Sequence, residues 1–367
     1  MENAHSFTSI RGIQGGREYY VAMVPLKVIP KIFLFDDAEL PADLRAQRTL
    51  NRARIPDIAT YLIENPRNYT FSSLTASVDA KVHFEPHSPS GVASNTGRLM
   101  IPMTARFLIN DGQHRRAAIE EALKERPELG DETLSVIFFV DAGLKRSQQM
   151  FADLNRHVVR PPQSLAVLYD HRDPLAQMVC RLVGRVTVFR NLTEMEKAAV
   201  PSQANKLFTL NGVLQATRVL LAMSKKRKVS QEQENLAFDF WQEIGRLIPD
   251  WHLAADKKVS CVELRRDYVH AHGVALTSLG SMGAAVIAQK STSWKPKLQA
   301  IRQLDWSRSS ADTWEGRALV SGRISKAHVN VILTTNLLKK QVGTPLSDTE
   351  QKIEHDFCRR QTARNAG

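Results

Sequence analysis

One hexapeptide, Asp111-Gly112-Gln113-His114-Arg115-Arg116, constrains this chain more than any other stretch. Before it stands Arg106-Phe107-Leu108-Ile109-Asn110, a short apolar run that reads as a strand. After it, Ala117-Ala118-Ile119-Glu120-Glu121-Ala122-Leu123-Lys124 is rich in helix formers with apolar residues at helical spacing. The segment is therefore predicted to be strand, tight glycine turn, helix N-terminus. Amide N–H groups at such a terminus favour anions. Two arginines and a histidine crowd the same turn, which is the local chemistry of a phosphate site without a Walker A lysine.

Each residue of the turn admits more than one role. Asp111 can cap the helix, accept from Arg115 or Arg116, or ligate Mg²⁺. His114 can act as a general acid or base, bind phosphate, or close the turn with a hydrogen bond, since its unperturbed pKa lies near 6.5. Arg115 and Arg116 are adjacent on a helix and point different ways, so one faces a ligand and the other pairs with a carboxylate such as Asp153. Gly112 answers to close backbone approach or a positive φ under either reading. Gln113 completes the candidate phosphate set. Were the site an enzyme's, Asp111 and His114 would be its catalytic pair.

The chain is predicted to be α+β. Residues 18–35 read as an edge strand and turn around Pro25 and Pro30. Helices are expected from Asp43 to Asn51 and from Pro56 to Glu64, the second with proline in its first turn. Strands follow at Tyr69 to Val78, Leu99 to Ile101 and Arg106 to Ile109, with a loop from His83 to Thr96. A helix over Gly112 to Glu125, a buried strand over Leu134 to Val140 and a helix over Leu144 to Asn155 complete the first part. Pro161-Pro162 then breaks the chain, with Ser164 as an expected N-cap. Two domains are expected, 1–162 and a basic helical 163–367. The second has helices at 172–184, 212–224, 231–248, 261–289 and 325–340.

Charge separates the two parts. Residues 1–165 hold 20 Lys+Arg against 19 Asp+Glu, and residues 166–367 hold 30 against 19, so 11 of the 12 excess positive charges fall in the second part. A basic surface of that kind fits a polyanion such as nucleic acid. The densest run is Lys225-Lys226-Arg227-Lys228, which suits phosphate contact or a solvated loop. Arg265-Arg266 and the Lys295 to Lys297 cluster repeat the pattern more weakly. Arg156, His157 and Arg160 form a further basic cluster. Between Trp306 and Arg323, tryptophans interleave with Arg308 and Arg317. They can grip nucleic acid by stacking, but the buried habit of tryptophan favours a structural joint.

Other classes find little support. Cys180, Cys261 and Cys358 are far apart and form no C-x-x-C pair, so a reducing cytoplasm is the simple expectation. His83 with His87, and His270 with His272, lack a third ligand, so no metal is expected. No apolar run reaches the roughly 18 residues that span a bilayer. The start of the chain carries no secretory pattern.

The first five residues of the hexapeptide, Asp111 to Arg115, are also the signature of DGQHR-domain proteins, and the chain resembles the DndB family of DNA phosphorothioation systems. The resemblance rests on separated motifs in order. They are Arg52-Ala53-Arg54-Ile55-Pro56-Asp57-Ile58-Ala59-Thr60-Tyr61-Leu62, the hexapeptide, Phe151-Ala152-Asp153-Leu154-Asn155-Arg156, Trp306, Trp314-Glu315-Gly316-Arg317-Ala318 and Gly322-Arg323-Ile324. It implies a repressor that binds the duplex promoter of its own modification operon, as a homo-oligomer facing a palindrome. The first domain also resembles the ParB/sulfiredoxin-like fold. That likeness implies nucleotide-phosphate contacts from Gly112 to Arg116 and from Asn155-Arg156. The competing reading is a nucleotide hydrolase or DNA-nicking enzyme at the same turn. It would require a nucleoside triphosphate with Mg²⁺, aided by Glu120 or Asp153. Between the two stands a nucleotide-controlled switch without turnover.

Overall fold

The computed structural model describes residues 3–33, 52–140, 149–150, 153–154, 161–223, 228–289 and 293–365. The chain divides into two compact units, Met1–Val159 and Arg160–Gly367. Of the described residues 53% are helical and 19% strand, a mixed class in which nearly all the described strand lies in the first unit.

The first unit is built on a seven-stranded sheet in the order β4-β5-β1-β2-β7-β3-β6. β1 (Ala4–Gln14) and β2 (Arg17–Pro25) form a hairpin closed by Gly15 and Gly16, at φ 59° and 74°. Two consecutive positive φ values make the primed turn whose twist matches the strands. α1 (Ile29–Ile32) and α2 (Ile55–Glu64) precede β3 (Leu74–Asp79), β4 (His83–Pro86), β5 (Thr96–Pro102) and β6 (Arg106–Asp111). α3 (Gln113–Glu125) and β7 (Thr133–Val140) follow. Every pairing is antiparallel except β3 with β7. One face of the sheet supplies Tyr20, Val24, Leu99, Val136 and Phe138 to a core that Leu62 of α2 and Ile119 of α3 complete.

Two expectations change here. Residues 18–35 hold an interior strand, not an edge strand: β2 is paired with β1 on one side and β7 on the other. Pro25 closes its end, where a missing N–H costs no central ladder bond. The stretch before it, polar in composition, forms β1, and the loop expected from His83 contains β4. Cross-strand pairing overrides weak local alternation in both. The helix expected at Asp43 to Asn51 lies outside the described residues. Of the one expected at Leu144 to Asn155, helical residues are described at 149–150 and 153–154.

The second unit is helical around its own core. Its helices are α4 (Gln163–Tyr169), α5 (Pro174–Arg185), α6 (Thr187–Leu192), α7 (Leu210–Leu220), α8 (Gln231–Leu247) and α9 (Pro249–Ala255). α10 (Cys261–Asp267), α11 (Gly273–Ala288), α12 (Lys295–Leu298), α13 (Ala311–Trp314), α14 (His328–Gln341) and α15 (Asp348–Asn365) continue it. β8 (Thr193–Glu194) pairs with β9 (Phe208–Thr209), and β10 (Leu319–Val320) with β11 (Arg323–Ile324). Ser230 and Gln233 form a reciprocal capping box at α8. Trp241, Trp251, Phe240 and Leu276 are fully buried in this core.

The single helix expected over 261–289 is two helices. Tyr268 and His272 are extended between them, with a one-turn 3₁₀ segment at Val269–Ala271. The backbone at Tyr268 instead bridges to Ser307. Ser164 does not cap α4, whose N-cap is Pro162. It is buried, and its hydroxyl accepts from the Asn211 amide at 3.4 Å.

Candidate functional site

β6 delivers the hexapeptide through a bulge. Thr75 of β3 faces Asp111 while the next residue, Ala76, faces Ile109, so Asn110 is the extra residue. Such a bulge re-aims the side chains around it. Asn110 turns inward, fully buried, and donates from Nδ2 to Ser77 Oγ at 2.7 Å and Met150 Sδ at 3.2 Å. Gly112 follows with φ 103°. A β-carbon there would stand 2.2 Å from Cδ2 of the fully buried Leu74. Only glycine fits this conformation and this space. Gly112 is the N-cap of α3, and its carbonyl accepts from the Arg116 amide at 2.9 Å.

The polar side chains then divide. Gln113 is buried and donates to the Ile109 carbonyl at 3.3 Å, closing the turn. Arg116 is also buried. Its Nε donates to the Phe33 carbonyl at 2.8 Å and its Nη2 to the Pro30 carbonyl at 3.0 Å, while Nη1 meets Glu120. It fastens α1 to α3. Arg115 points the other way. Its Nη2 donates to Asp111 Oδ2 at 2.8 Å and to the Ser73 carbonyl at 3.0 Å. Its Nε is buried with no acceptor among the described residues. Asp111 thus accepts from Arg115 rather than capping α3, which has no side-chain cap.

His114 stands half-buried beside Arg115. Burial lowers its pKa first, the charges of Arg54 and Arg115 lower it further, and Asp111 opposes them. A histidine held neutral next to two guanidiniums marks a local positive field. Arg54, exposed at the N-cap of α2, joins the candidate site. It lies in the Arg52 to Leu62 motif but carried no assigned role in the sequence. Proximity through the fold was the missing signal. Arg54, Arg115, His114 and the α3 amides can hold an anion. Asp111, engaged by Arg115, is less suited to act as a free base.

Asn155, Arg156 and Arg160 lie outside the described residues, as do Lys225, Lys226 and Arg227. Lys228 is exposed ahead of α8. Arg265 turns inward: Nη1 reaches the Ala204 carbonyl at 2.9 Å and the Lys206 carbonyl, and Nη2 reaches the Ser202 carbonyl at 2.6 Å and the Pro201 carbonyl at 3.3 Å. Burial lowers its pKa, and it organises the loop before β9. Arg266 is exposed and grips Asp267 through Nε at 2.8 Å and Nη2 at 2.7 Å.

Trp306 and Trp314 are buried and stacked, 5.2 Å between ring centroids, inside the second unit. Trp314 Nε1 donates to the Asp305 carbonyl at 2.9 Å. Arg317 is buried and bidentate on Glu354, at 2.7 and 3.0 Å. Trp306, Trp314 and Arg317 are therefore buried structural residues, while Ser309, Ala311 and Asp312 between them are exposed. His270, fully buried, accepts from Trp251 Nε1 at 3.2 Å through Nδ1 and so donates from Nε2 to Asp250 at 3.1 Å. Among the described residues no three of His, Cys, Asp and Glu come together as a metal would need. Among the same residues no helix is long and apolar enough to cross a membrane.

A family model described as DndB, DNA-sulfur modification-associated, matches residues 7–345 of the chain. No curated protein and no solved structure matches it. The family match runs through both units, from β1 to beyond α14, and takes in the glycine turn, the buried tryptophan pair and the β10–β11 hairpin alike. The chain therefore belongs to the DndB family of DNA-sulfur modification-associated proteins.

Proposed function

We propose that this protein is a DNA-binding transcriptional repressor of a DNA-sulfur modification operon, acting in the cytoplasm as a homo-oligomer on a duplex operator. The observation that carries the reading is the family match over residues 7–345 joined to the charge distribution. A protein of a DNA-modification system with 11 of its 12 excess charges in residues 166–367 has a built-in affinity for duplex DNA. We read the first unit as ParB/sulfiredoxin-like, on the strand, glycine turn and helix that carry Arg115 and His114. In this reading the turn binds a nucleotide or backbone phosphate and regulates the second unit. The Arg115–Asp111 pair supports the binding reading, because Asp111 Oδ2 is already held by Arg115.

Fluorescence anisotropy tests it. The purified chain should bind the promoter duplex of its own modification operon at least about a hundredfold more tightly than a shuffled duplex of equal length. Equal affinity for the two, or no binding to either, would remove the repressor reading. Adding ATP or CTP with Mg²⁺ should shift the affinity without releasing phosphate.

A further inference from the structure

The second unit brings cations from three separate segments to the start of one helix. α11 begins at Gly273 with His272 as its N-cap, and no side chain caps its first amides. His272 is neutral: burial, above all, pushes its pKa down to about 4. Its Nε2 donates to the Arg265 carbonyl at 2.7 Å. Lys326 Nζ lies over this helix end, since a β-carbon added at Gly273 would stand 2.5 Å from it. An ammonium there opposes the helix dipole, which favours an anion at that place. Lys326 keeps solvent access at its surface although packing around it lowers its pKa, and it has no hydrogen-bond or ion-pair partner among the described residues.

Arg308 builds the rest of the surface. It donates to the Arg266 carbonyl at 2.9 Å, the Arg265 carbonyl at 3.3 Å and the Gly322 carbonyl at 2.7 Å. It thereby joins the last turn of α10 to the β10–β11 hairpin. Arg323 follows Gly322 directly, exposed and likewise without a partner among the described residues. Arg266 flanks the group, held by Asp267. The nearby acids are engaged: Asp267 by Arg266, and Glu315 by the amides of Ser321 and Gly322. Arg323 and Lys326 are thus two solvent-accessible cations on neighbouring backbone, and Lys326 lies over a helix start that itself favours negative charge.

We propose that Arg323, Lys326 and the start of α11 form the surface through which the second unit grips the phosphate backbone of duplex DNA. This rests on the DNA-binding reading above. Exposed point charges on flexible stems suit a backbone of repeating phosphates, and they carry no base code.

The test uses the full chain. Arg323→Ala with Lys326→Ala should weaken duplex binding by about tenfold near 0.1 M salt and flatten the log–log salt slope by roughly one to two units. Its thermal midpoint should match the parent. Lys352→Ala with Arg360→Ala removes the same charge from α15 and should stay within about twofold of the parent. Arg323→Lys with Lys326→Arg keeps the charge and should bind like the parent. Parent-like affinity and slope in the alanine pair would overturn the surface, as would equal losses in both alanine pairs or a loss in the charge-keeping pair. Displacement of duplex from the parent by millimolar inorganic phosphate at constant ionic strength, absent in the alanine pair, would assign the site to a free anion instead. A parent that binds no duplex defeats the DNA-binding reading itself. A parent that binds while the alanine pair is indifferent defeats only this surface.

Discussion

At the scale of single residues, the two adjacent arginines of the turn have opposite fates. Arg116 is enclosed and holds two carbonyls and Glu120. Arg115 keeps a half-exposed ion pair and a buried Nε without an acceptor. Arg116→Ala should therefore cost stability, about 2–3 kcal/mol, because it strands buried carbonyls. Arg115→Ala should cost about 1 kcal/mol or less and weaken anion binding instead. Chemical denaturation and a phosphate or nucleotide titration of both variants check this division, and a reversed pattern would misassign the turn. Gly112 was legible in the sequence, because its neighbours demanded a tight turn. Which arginine faces outward was not. Helical geometry says that adjacent residues diverge, but the carbonyls of Pro30 and Phe33 that capture Arg116 come from 83 and more residues away. Arg54 escaped for the same reason.

Among elements, those with strong local signals were readable: β6, α3, β7 and α2 fall where apolar period and proline place them. β1 was missed although Gly15-Gly16 is a hairpin signal, because its own residues alternate poorly. α15 was missed because it is polar almost throughout. It is fixed by tertiary pairing, with Glu354 accepting from Arg317, Lys340 and Asn336. The break between α10 and α11 was hidden by a continuous helix-compatible sequence, and His272 now marks it. That histidine gives the second unit a pH dependence. Unfolded, it takes up a proton near pH 6.5; folded, it resists until about pH 4. The unfolded state therefore binds more protons in that window, and stability falls as pH falls from 6.5 to 4. His272→Gln, whose amide can still donate to the Arg265 carbonyl, should flatten this part of the stability profile by on the order of 2–3 kcal/mol. Denaturation midpoints measured across pH 4–7 would show it, and an identical slope in the variant would exclude His272 as the cause.

For the molecule as a whole, the charge division read from sequence meets a physical one. The first unit ends at Val159 and the second begins at Arg160, and their two buried clusters share no residue. Each unit thus has the core that independent folding requires. Residues 160–367 make 208 residues with a helical core around Trp241 and Trp251. They also carry Arg266, Arg323, Lys326 and the Lys225 to Lys228 run. Expressed alone, this fragment should fold and retain duplex binding with a steep salt dependence, because released counterions drive such binding whatever the base sequence. The fragment 1–159 has 19 Lys+Arg against 19 Asp+Glu and should bind duplex weakly at best. It should instead keep whatever anion affinity the turn of Gly112 and Arg115 provides, lost in Arg115→Ala. Paired titrations of the two fragments with duplex DNA and with a nucleoside triphosphate separate these assignments. If only 1–159 binds duplex, the basic excess of the second unit is a solvated surface, and the DNA contact belongs to the glycine turn.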